Sequence, residues 1–276
     1  MHALADKALI LLEWYRAMGV DDAVADAPQN WFAPPAAETA RPLSELSGQE
    51  IKRKISDRPK ASLPPPPPQQ APETAESAMS ARELARSAQS LDELRALLEG
   101  FEACGLKKTA SRLCLSRGSQ AARIMLIGEA PGRDEDIQGE PFVGRAGQLL
   151  DRMLAAIDLT EADVYITNLV FWRPPGNRTP TPEEVQVCQP FVERQIELLN
   201  PKILVFLGNA AAKQLTGATE GIMKLRGKWL TYPLQGGIRS MAILHPAYLL
   251  RTPIGKRMAW RDLLAIREAL DASPPS

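Results

Sequence analysis

The residues of this sequence best suited to chemistry lie directly after stretches of apolar residues. Asn168 follows one such stretch, and its side-chain amide offers both a donor and an acceptor, which is what reading the edge of a nucleobase requires. His245 follows another stretch and is the only imidazole outside the N-terminal segment, because the second histidine is His2. An asparagine at a strand end can simply cap a turn, and a histidine can be part of the core. The position of His245 on a proline-rich turn at a strand end favours a functional role for this residue.

A segment rich in glycine and proline follows a third apolar stretch. Residues 128–132 read Gly-Glu-Ala-Pro-Gly, and residues 139–146 read Gly-Glu-Pro-Phe-Val-Gly-Arg-Ala. This composition predicts tight loops whose backbone approaches a ligand closely. The second run has the glycine spacing of a phosphate-binding P-loop, but Arg145 and Ala146 stand where that loop needs lysine and serine or threonine. A P-loop nucleotide hydrolase is therefore excluded, and the compact glycine fingerprint of a Rossmann cofactor domain is missing too.

Basic residues are concentrated towards the C-terminus. The whole chain has 33 basic and 33 acidic side chains, so its net charge gives no reason to expect a nucleic-acid or membrane partner. Residues 221–261, however, contain no Asp or Glu and eight basic residues, namely Lys224, Arg226, Lys228, Arg239, Arg251, Lys256, Arg257 and Arg261. This segregation predicts a cationic surface for phosphate contacts.

Alternating strand and helix patterns must position these residues. The strand patterns cover residues 123–127, 164–170, 203–207 and 240–244. The helix patterns that separate and follow them cover residues 147–157, 183–199, 210–215 and 256–270. Such alternation predicts an α/β fold of three layers (α/β/α) with a central, mostly parallel, four-stranded sheet. Ligands of these sheets bind at the carboxyl ends of the strands, where Asn168 and His245 lie.

The N-terminal part of the chain has a different composition. Apolar residues near helical spacing predict a short amphipathic helix within residues 1–22. Residues 28–72 contain 11 of the 24 prolines, and such a segment cannot bury enough apolar surface to offset its ordering entropy. Residues 23–80 are therefore predicted to be a disordered, Pro-rich linker, and residues 81–272 to form the α/β domain.

Cysteine usage and hydropathy indicate the compartment. The three cysteines, Cys104, Cys114 and Cys188, are odd in number and widely spaced, which is more typical of a reducing cytoplasm than of a disulfide framework. No apolar run approaches the roughly 18 residues of a membrane span. The sequence thus predicts a soluble, cytoplasmic protein without a membrane partner.

Five ordered motifs lie at the predicted strand ends. They read Gly-Glu-Ala-Pro-Gly (128–132), Gly-Glu-Pro-Phe-Val-Gly-Arg-Ala-Gly-Gln (139–148), Ile-Thr-Asn (166–168), Arg-Pro-Pro-Gly-Asn (173–177) and His-Pro-Ala-Tyr-Leu-Leu (245–250). Over roughly residues 94–270 the sequence resembles the uracil-DNA glycosylase superfamily, and within it the family 4 enzymes. The resemblance implies a DNA repair hydrolase that flips uracil out of DNA and cleaves its N-glycosidic bond, leaving an abasic site.

The resemblance also implies roles for residues of the pocket. Ala130, Phe142 and Asn168 would bind the extruded uracil, with Phe142 stacking on it. His245 would donate to the base as it departs with negative charge. Glu129 or Glu135 would orient water and favour the positive charge that develops on the sugar, and the sequence does not choose between the two carboxylates.

A further set of residues would contact DNA. An apolar wedge must replace the flipped base in the stack, and cations must bind the phosphates. The residues predicted for these tasks are Tyr248, Leu249, Leu250, Arg251, Lys256 and Arg257.

The cysteines depart from the family pattern. Family 4 enzymes typically hold a 4Fe-4S cluster with four cysteines, and Cys104 and Cys188 match two of those places. Phe101 and Trp172 occupy the other two, and Cys114 lies off the pattern. We therefore predict no metal and no cofactor, with aromatic packing in place of the cluster.

Two alternatives remain at this point. One is a glycosylase for a broader range of deaminated or mismatched bases, and the other is a non-catalytic protein that binds DNA lesions. Retention of Glu129, Glu135 and His245 together favours turnover. The expected partner is uracil-containing DNA, bound by a monomer, and the sequence names no protein partner for the N-terminal extension.

Overall fold

The computed structural model describes residues 71–234 and 236–272 of the 276-residue chain. The chain divides into two units, Met1–Pro66 and Pro67–Ser276, and all the described residues belong to the second. The predicted N-terminal helix within residues 1–22, and the predicted linker as far as residue 70, lie outside the described residues.

Helices and strands alternate along the second unit. The helices are α1 (Ala71–Ser87), α2 (Leu91–Gly100), α3 (Arg133–Gln138), α4 (Arg145–Ala155), α5 (Pro182–Leu199), α6 (Asn209–Thr216), α7 (Ile222–Leu225), α8 (Pro246–Arg251) and α9 (Lys256–Asp271). The strands are β1 (Ser116–Gly118), β2 (Ile124–Gly128), β3 (Val164–Asn168), β4 (Ile203–Leu207), β5 (Trp229–Tyr232) and β6 (Ile238–Ile243).

One six-stranded sheet runs through this unit, in the order β1-β3-β2-β4-β6-β5. The four central strands are parallel, and the edge strands β1 and β5 are antiparallel to their neighbours. Gly128 pairs with Asn168, and Leu207 pairs with Ile243, so the loops that follow the central strands emerge at one edge of the sheet. That edge is where the α/β architecture places a ligand.

The observed fold confirms the predicted α/β class and its four central strands, and it adds two edge strands. Both edge strands are short, three residues in β1 and four in β5. β1 reads Ser-Arg-Gly and lacks the apolar residues by which a buried strand is recognised. An edge strand needs less burial than a central one, and its sequence signal is correspondingly weak.

Helices cover both faces of the sheet, as a three-layer fold requires. Side chains alternate along β2, so Met125 and Ile127 pack in one core cluster while Ile124 and Leu126 pack in the other. The first cluster contains buried residues of α1, α2, α5 and α6, and the second contains those of α4 and α9. Among the helices in the described ranges, none is both long and apolar enough to cross a membrane.

Side-chain N-caps fix the start of α2 and of α5. The Ser90 side chain accepts a hydrogen bond from the Glu93 N–H at the start of α2. Thr181 caps α5 in the same way and forms a capping box with Glu184. The second cap anchors the loop that leads from β3 to α5.

The predicted linker boundary at residue 80 is wrong, because it lies inside α1. The helix covers Ala71–Ser87, and Ala81 and Ala85 are buried in the core cluster that also contains α5. Alanine, glutamate and arginine dominate the segment, and they are strong helix formers. Their helix propensity and the burial of small side chains order residues 71–80. These residues were predicted to belong to the linker because many prolines lie nearby.

Candidate active site

A cavity of about 680 Å³ opens at the carboxyl ends of the central strands. Its lining includes the six residues predicted for catalysis and base binding, namely Glu129, Ala130, Glu135, Phe142, Asn168 and His245. Tyr248 and Arg251, predicted for DNA contacts, also line it. The structure therefore brings together residues that are separated by more than a hundred positions in the chain.

Asn168 ends β3 with its side chain in this cavity. The residue is only 1% exposed, and within the described part of the chain neither its amide nitrogen nor its amide oxygen has a hydrogen-bond partner. An unpaired buried amide is costly, so both groups are available to a ligand that offers an acceptor and a donor. Gly128 keeps this space open, because a Cβ there would lie 2.4 Å from Asn168 Oδ1 and 2.6 Å from Phe142 Cζ.

Phe142 forms a wall of the cavity and is held in an uncommon conformation. Its φ is 59°, in the left-handed region that an aromatic residue rarely adopts. Gly147, in the first turn of α4, permits this, because a Cβ there would lie 1.6 Å from the Phe142 carbonyl oxygen. The Phe142 ring lies 5.6 Å from the His245 ring, with 33° between their planes. Backbone strain of this kind concentrates at functional sites, where surrounding structure holds it.

His245 caps α8 and is fixed in one tautomer. Its Nδ1 accepts a hydrogen bond of 3.1 Å from the Ala247 N–H, so the proton of the neutral ring is assigned to Nε2. Burial, with a smaller contribution from the nearby Arg251, lowers the pKa of His245 to about 4. The ring is therefore neutral at physiological pH and offers Nε2–H as a donor. Gly208, with a φ of 91°, lies against the ring and leaves room for it.

The two candidate carboxylates differ in their hydrogen bonds. Glu129 is half-buried, and burial raises its pKa, while a hydrogen bond from the Thr179 side chain partly opposes that shift. Glu135 Oε2 accepts from the Gly132 N–H at 3.1 Å, and its Oε1 accepts from the Gly144 N–H at 2.9 Å. Glu135 thus joins two loops of the cavity through both of its carboxylate oxygens, whereas within the described residues no backbone N–H donates to Glu129.

The residues predicted to contact DNA occupy different environments. Arg251, Lys256 and Arg257 are exposed, and Leu250 is half-buried. Leu249, predicted as part of the apolar wedge, is fully buried and clusters with Leu149, Leu244 and Ala259. That prediction is corrected, because Leu249 packs beneath α8 with 0% of its surface exposed and cannot enter the base stack.

An apolar residue that the sequence analysis missed is better placed to act as a wedge. Ile254 is 79% exposed in the turn between α8 and α9. Its signal in the sequence is an isolated apolar residue in a Pro-Ile-Gly turn, between Arg251 and Lys256. A single exposed apolar residue is ordinary on a protein surface, so what favours Ile254 is its position between these two cations.

The loop after β3 was also missed as part of the cavity wall. Asn177, Arg178 and Thr179 line the cavity, and the proline, glycine and asparagine of residues 173–177 are the signal that marks the loop. Arg178 donates to both carboxylate oxygens of Glu184, at 2.9 and 2.6 Å. Because Glu184 belongs to the capping box of α5, this pair anchors the loop and places Thr179 beside Glu129.

The residues at the four cysteine places of family 4 do not fit an iron-sulfur cluster. The Cys104 and Cys188 sulfurs lie 3.8 Å apart and both are buried. The Phe101 ring packs edge-to-face on Phe191 at 5.0 Å, and Trp172 is buried against Phe171. Across residues 71–234 and 236–272, no group of three or more His, Cys, Asp or Glu side chains is arranged to hold a metal ion.

Comparisons of the sequence with known proteins point to one family. The family model described as the uracil DNA glycosylase superfamily matches residues 115–264. A type-4 uracil-DNA glycosylase of Archaeoglobus fulgidus is 42% identical over 193 residues, covering 68% of this chain and 97% of that protein. One of Saccharolobus solfataricus is 41% identical over 177 residues, covering 62% and 82% of the two chains. A type-5 uracil-DNA glycosylase of Thermus thermophilus is 34% identical over 146 residues, covering 46% and 66%.

Proposed function

This chain belongs to the uracil DNA glycosylase superfamily, and on that premise we propose that it removes uracil from DNA by hydrolysing the N-glycosidic bond. The product is an abasic site, which makes the reaction a step of base excision repair. The observation that carries the proposal is the buried, unpaired amide of Asn168 in a cavity walled by Phe142 and His245.

Base recognition falls to Phe142 and Asn168. Uracil presents a carbonyl acceptor beside an N–H donor on its pairing edge, and the Asn168 amide offers the complementary pair. The Phe142 ring gives the base an apolar surface on which to stack. A uracil paired inside the duplex cannot reach these groups, so it must leave the stack first.

His245 stabilises the departing base. As the N-glycosidic bond breaks, negative charge develops on the base and is carried mostly by its carbonyl oxygens. The neutral His245 ring donates Nε2–H to that charge, while its Nδ1 is held by the Ala247 N–H. A donor that is already oriented needs no reorganisation as the charge appears, which is the source of its effect on rate.

Glu129 acts on the sugar side of the bond. Its carboxylate orients the attacking water and favours the positive charge that develops on the sugar. Thr179 steadies it, and Glu135 has a positioning role through the amides of Gly132 and Gly144. We assign the water-orienting role to Glu129, and the loop amides that occupy both carboxylate oxygens of Glu135 support this choice.

DNA is held beside the cavity by cations and an apolar residue. Arg251 lines the cavity and is exposed, and Lys256 and Arg257 begin α9 next to it. These side chains bind phosphates, while Tyr248 and Ile254 fill the space that the flipped base leaves in the stack. We propose that the protein acts as a monomer in the cytoplasm, a reducing compartment in which its three buried cysteines stay unpaired.

No iron-sulfur cluster takes part in this proposal. Two thiols cannot supply four thiolate ligands, and the rings of Phe101 and Trp172 fill the remaining places. Their packing stabilises the region that a cluster stabilises in relatives with four cysteines. None of the steps assigned to Glu129 and His245 requires it.

Replacing Asn168 with aspartate tests the recognition step. The aspartate carboxylate has two acceptor oxygens and no donor. The variant should therefore lose activity on uracil and gain activity on cytosine, whose pairing edge offers an amino donor. Asn168→Ala should lower the rate of uracil excision about tenfold or more, which corresponds to the loss of roughly one hydrogen bond to a buried group. It should not gain activity on cytosine. Release of free base from oligonucleotides with one uracil or one cytosine is the measurement. Unchanged uracil release by both variants would place base recognition elsewhere.

A further inference from the structure

A second concavity lies on the other side of α8 from the active-site cavity. Tyr248 and Arg251 of this helix line the active-site cavity, whereas Leu249 and Leu250 line a groove of about 420 Å³. The groove is bounded by α4, α8 and α9, and its lining is mainly apolar. We call it the α9 groove.

Trp260 is the most distinctive residue of the α9 groove. Its side chain lines the groove and is 42% exposed, and Leu264, one turn later on α9, is 46% exposed. Large apolar side chains that share an exposed helix face and border a concavity are typical of a binding surface. An exposed tryptophan with cationic neighbours is a platform on which a nucleobase can stack.

The two charged residues that line the α9 groove are both positive. Arg152 and Lys256 line it, and Arg257 and Arg261 are exposed on the same helix as Trp260. Within the described ranges none of these four cations forms an ion pair with a carboxylate. The next acidic residue along α9, Asp262, is buried and paired with Arg226. A polyanion therefore complements this surface better than a neutral apolar peptide does.

The distance between groove and cavity also fits one nucleic-acid strand. A helix with its side chains is about 10–12 Å across, so the two sites are separated by roughly one helix diameter. Successive nucleotides of a stacked strand rise about 3.4 Å, so a strand whose uracil occupies the cavity reaches the other side of α8 within about three nucleotides.

We propose that the α9 groove is a second DNA site, which binds an unpaired nucleobase flanking the uracil by stacking on Trp260. Arg152, Lys256 and Arg257 bind the adjoining phosphates. The inference rests on the proposed function and extends it, because it adds a contact to a nucleotide outside the active-site cavity. Bases that are still paired in a duplex cannot enter the groove, so it contributes to binding only where DNA is open.

The test compares single-stranded oligonucleotides of two lengths, each with one uracil. The long substrate has ten nucleotides on each side, and the short one has a single nucleotide on each side. Trp260→Ala should lower kcat/KM for the long substrate roughly tenfold, given the usual loss on removing one base-stacking aromatic, and leave the short substrate unchanged. Trp260→Phe keeps an aromatic ring and should restore most of the loss. Met223→Ala removes another exposed apolar side chain and should change neither.

Binding of undamaged oligo(dT) tests the groove independently of turnover. The unmodified protein should bind a fluorescent oligo(dT) several times more tightly than Trp260→Ala does, whether or not uracil is released. If no substrate is cleaved but the difference in oligo(dT) affinity persists, the proposed function is wrong and the α9 groove is still supported as a DNA site. Equal loss on both substrate lengths would overturn the groove proposal, as would equal oligo(dT) binding by both proteins. It would also be overturned if an acidic amphipathic peptide, but not oligo(dT), quenched the part of the tryptophan fluorescence that Trp260→Phe removes.

Discussion

Replacing His245 with asparagine should separate the two roles of this residue. Asparagine is a favourable N-cap, so its side-chain oxygen can accept the Ala247 N–H in place of Nδ1, but it is too short to present a donor where Nε2 lies. His245→Ala loses both the cap and the donor. Both variants should lose on the order of a hundredfold or more in single-turnover rate. Only the alanine variant should also lose about 1 kcal/mol in free energy of unfolding.

The pH dependence of stability provides a second readout of His245. Its pKa is about 4 in the folded protein and 6.5 ordinarily, and a difference of this size corresponds to about 3 kcal/mol. Below about pH 6.5 the unfolded chain binds a proton that the folded protein does not. The stability contribution of the neutral ring is therefore complete above that pH and is lost as pH falls towards 4. His245→Asn should lack this part of the acid destabilisation.

Two measurements on the same proteins check these expectations. Single-turnover uracil release at saturating enzyme gives the rate, and denaturant unfolding at pH 7 and pH 5 gives the stability. His2→Asn, at the other histidine of the chain, is the matched control and should change neither. The reasoning fails if His245→Asn cleaves at the parent rate, or if it keeps the full acid dependence of stability.

Four further expectations follow from the site. Glu129→Gln should abolish most turnover with little change in stability. Glu135→Gln should lower turnover, lower stability and raise KM, because its two hydrogen bonds to loop amides weaken. Equal kinetic effects of the two variants without a difference in stability would count against this division of roles. Ile254→Ala should slow excision from duplex DNA without destabilising the fold, whereas Leu249→Ala should cost about 2–5 kcal/mol of stability in unfolding experiments. Affinity for undamaged duplex should fall steeply with salt, and Arg251→Ala should reduce the slope of that dependence by about one charge; a flat dependence would rule out this DNA surface. The purified protein should be colourless, and a visible absorption band with stoichiometric iron and sulfide would refute the packing assigned to the cysteine region.

The sequence predicts much of this fold because its central strands are mainly apolar runs of five or six residues whose side chains are largely buried. Residues 203–207 were predicted as a strand and form β4, and Asn168 and His245 were placed at strand ends by the same pattern. The edge strand β1 escaped because polar residues dominate it. Residues 71–80 of α1 were assigned to the linker because the packing that orders this helix, with Ala81 and Ala85 buried against α5, joins positions about a hundred residues apart.

The site was predicted by residue type, but its geometry could not be. The bonds from Gly132 and Gly144 to Glu135, which decide its role, join loops whose approach depends on the whole sheet. Leu249 and Ile254 are both apolar residues near the same cationic segment, and composition cannot tell which one is buried. The choice depends on how α8 packs against α4 and α9.

Release of free uracil by the unmodified protein tests the central claim most directly. The substrate is a duplex oligonucleotide with one uracil, incubated with excess protein, and the readouts are free base and an alkali-labile abasic site. We expect near-stoichiometric release of uracil, and no release of thymine from the matched thymine duplex. Tight binding to the uracil duplex with no base released at long times would contradict the account and identify the protein as a lesion binder.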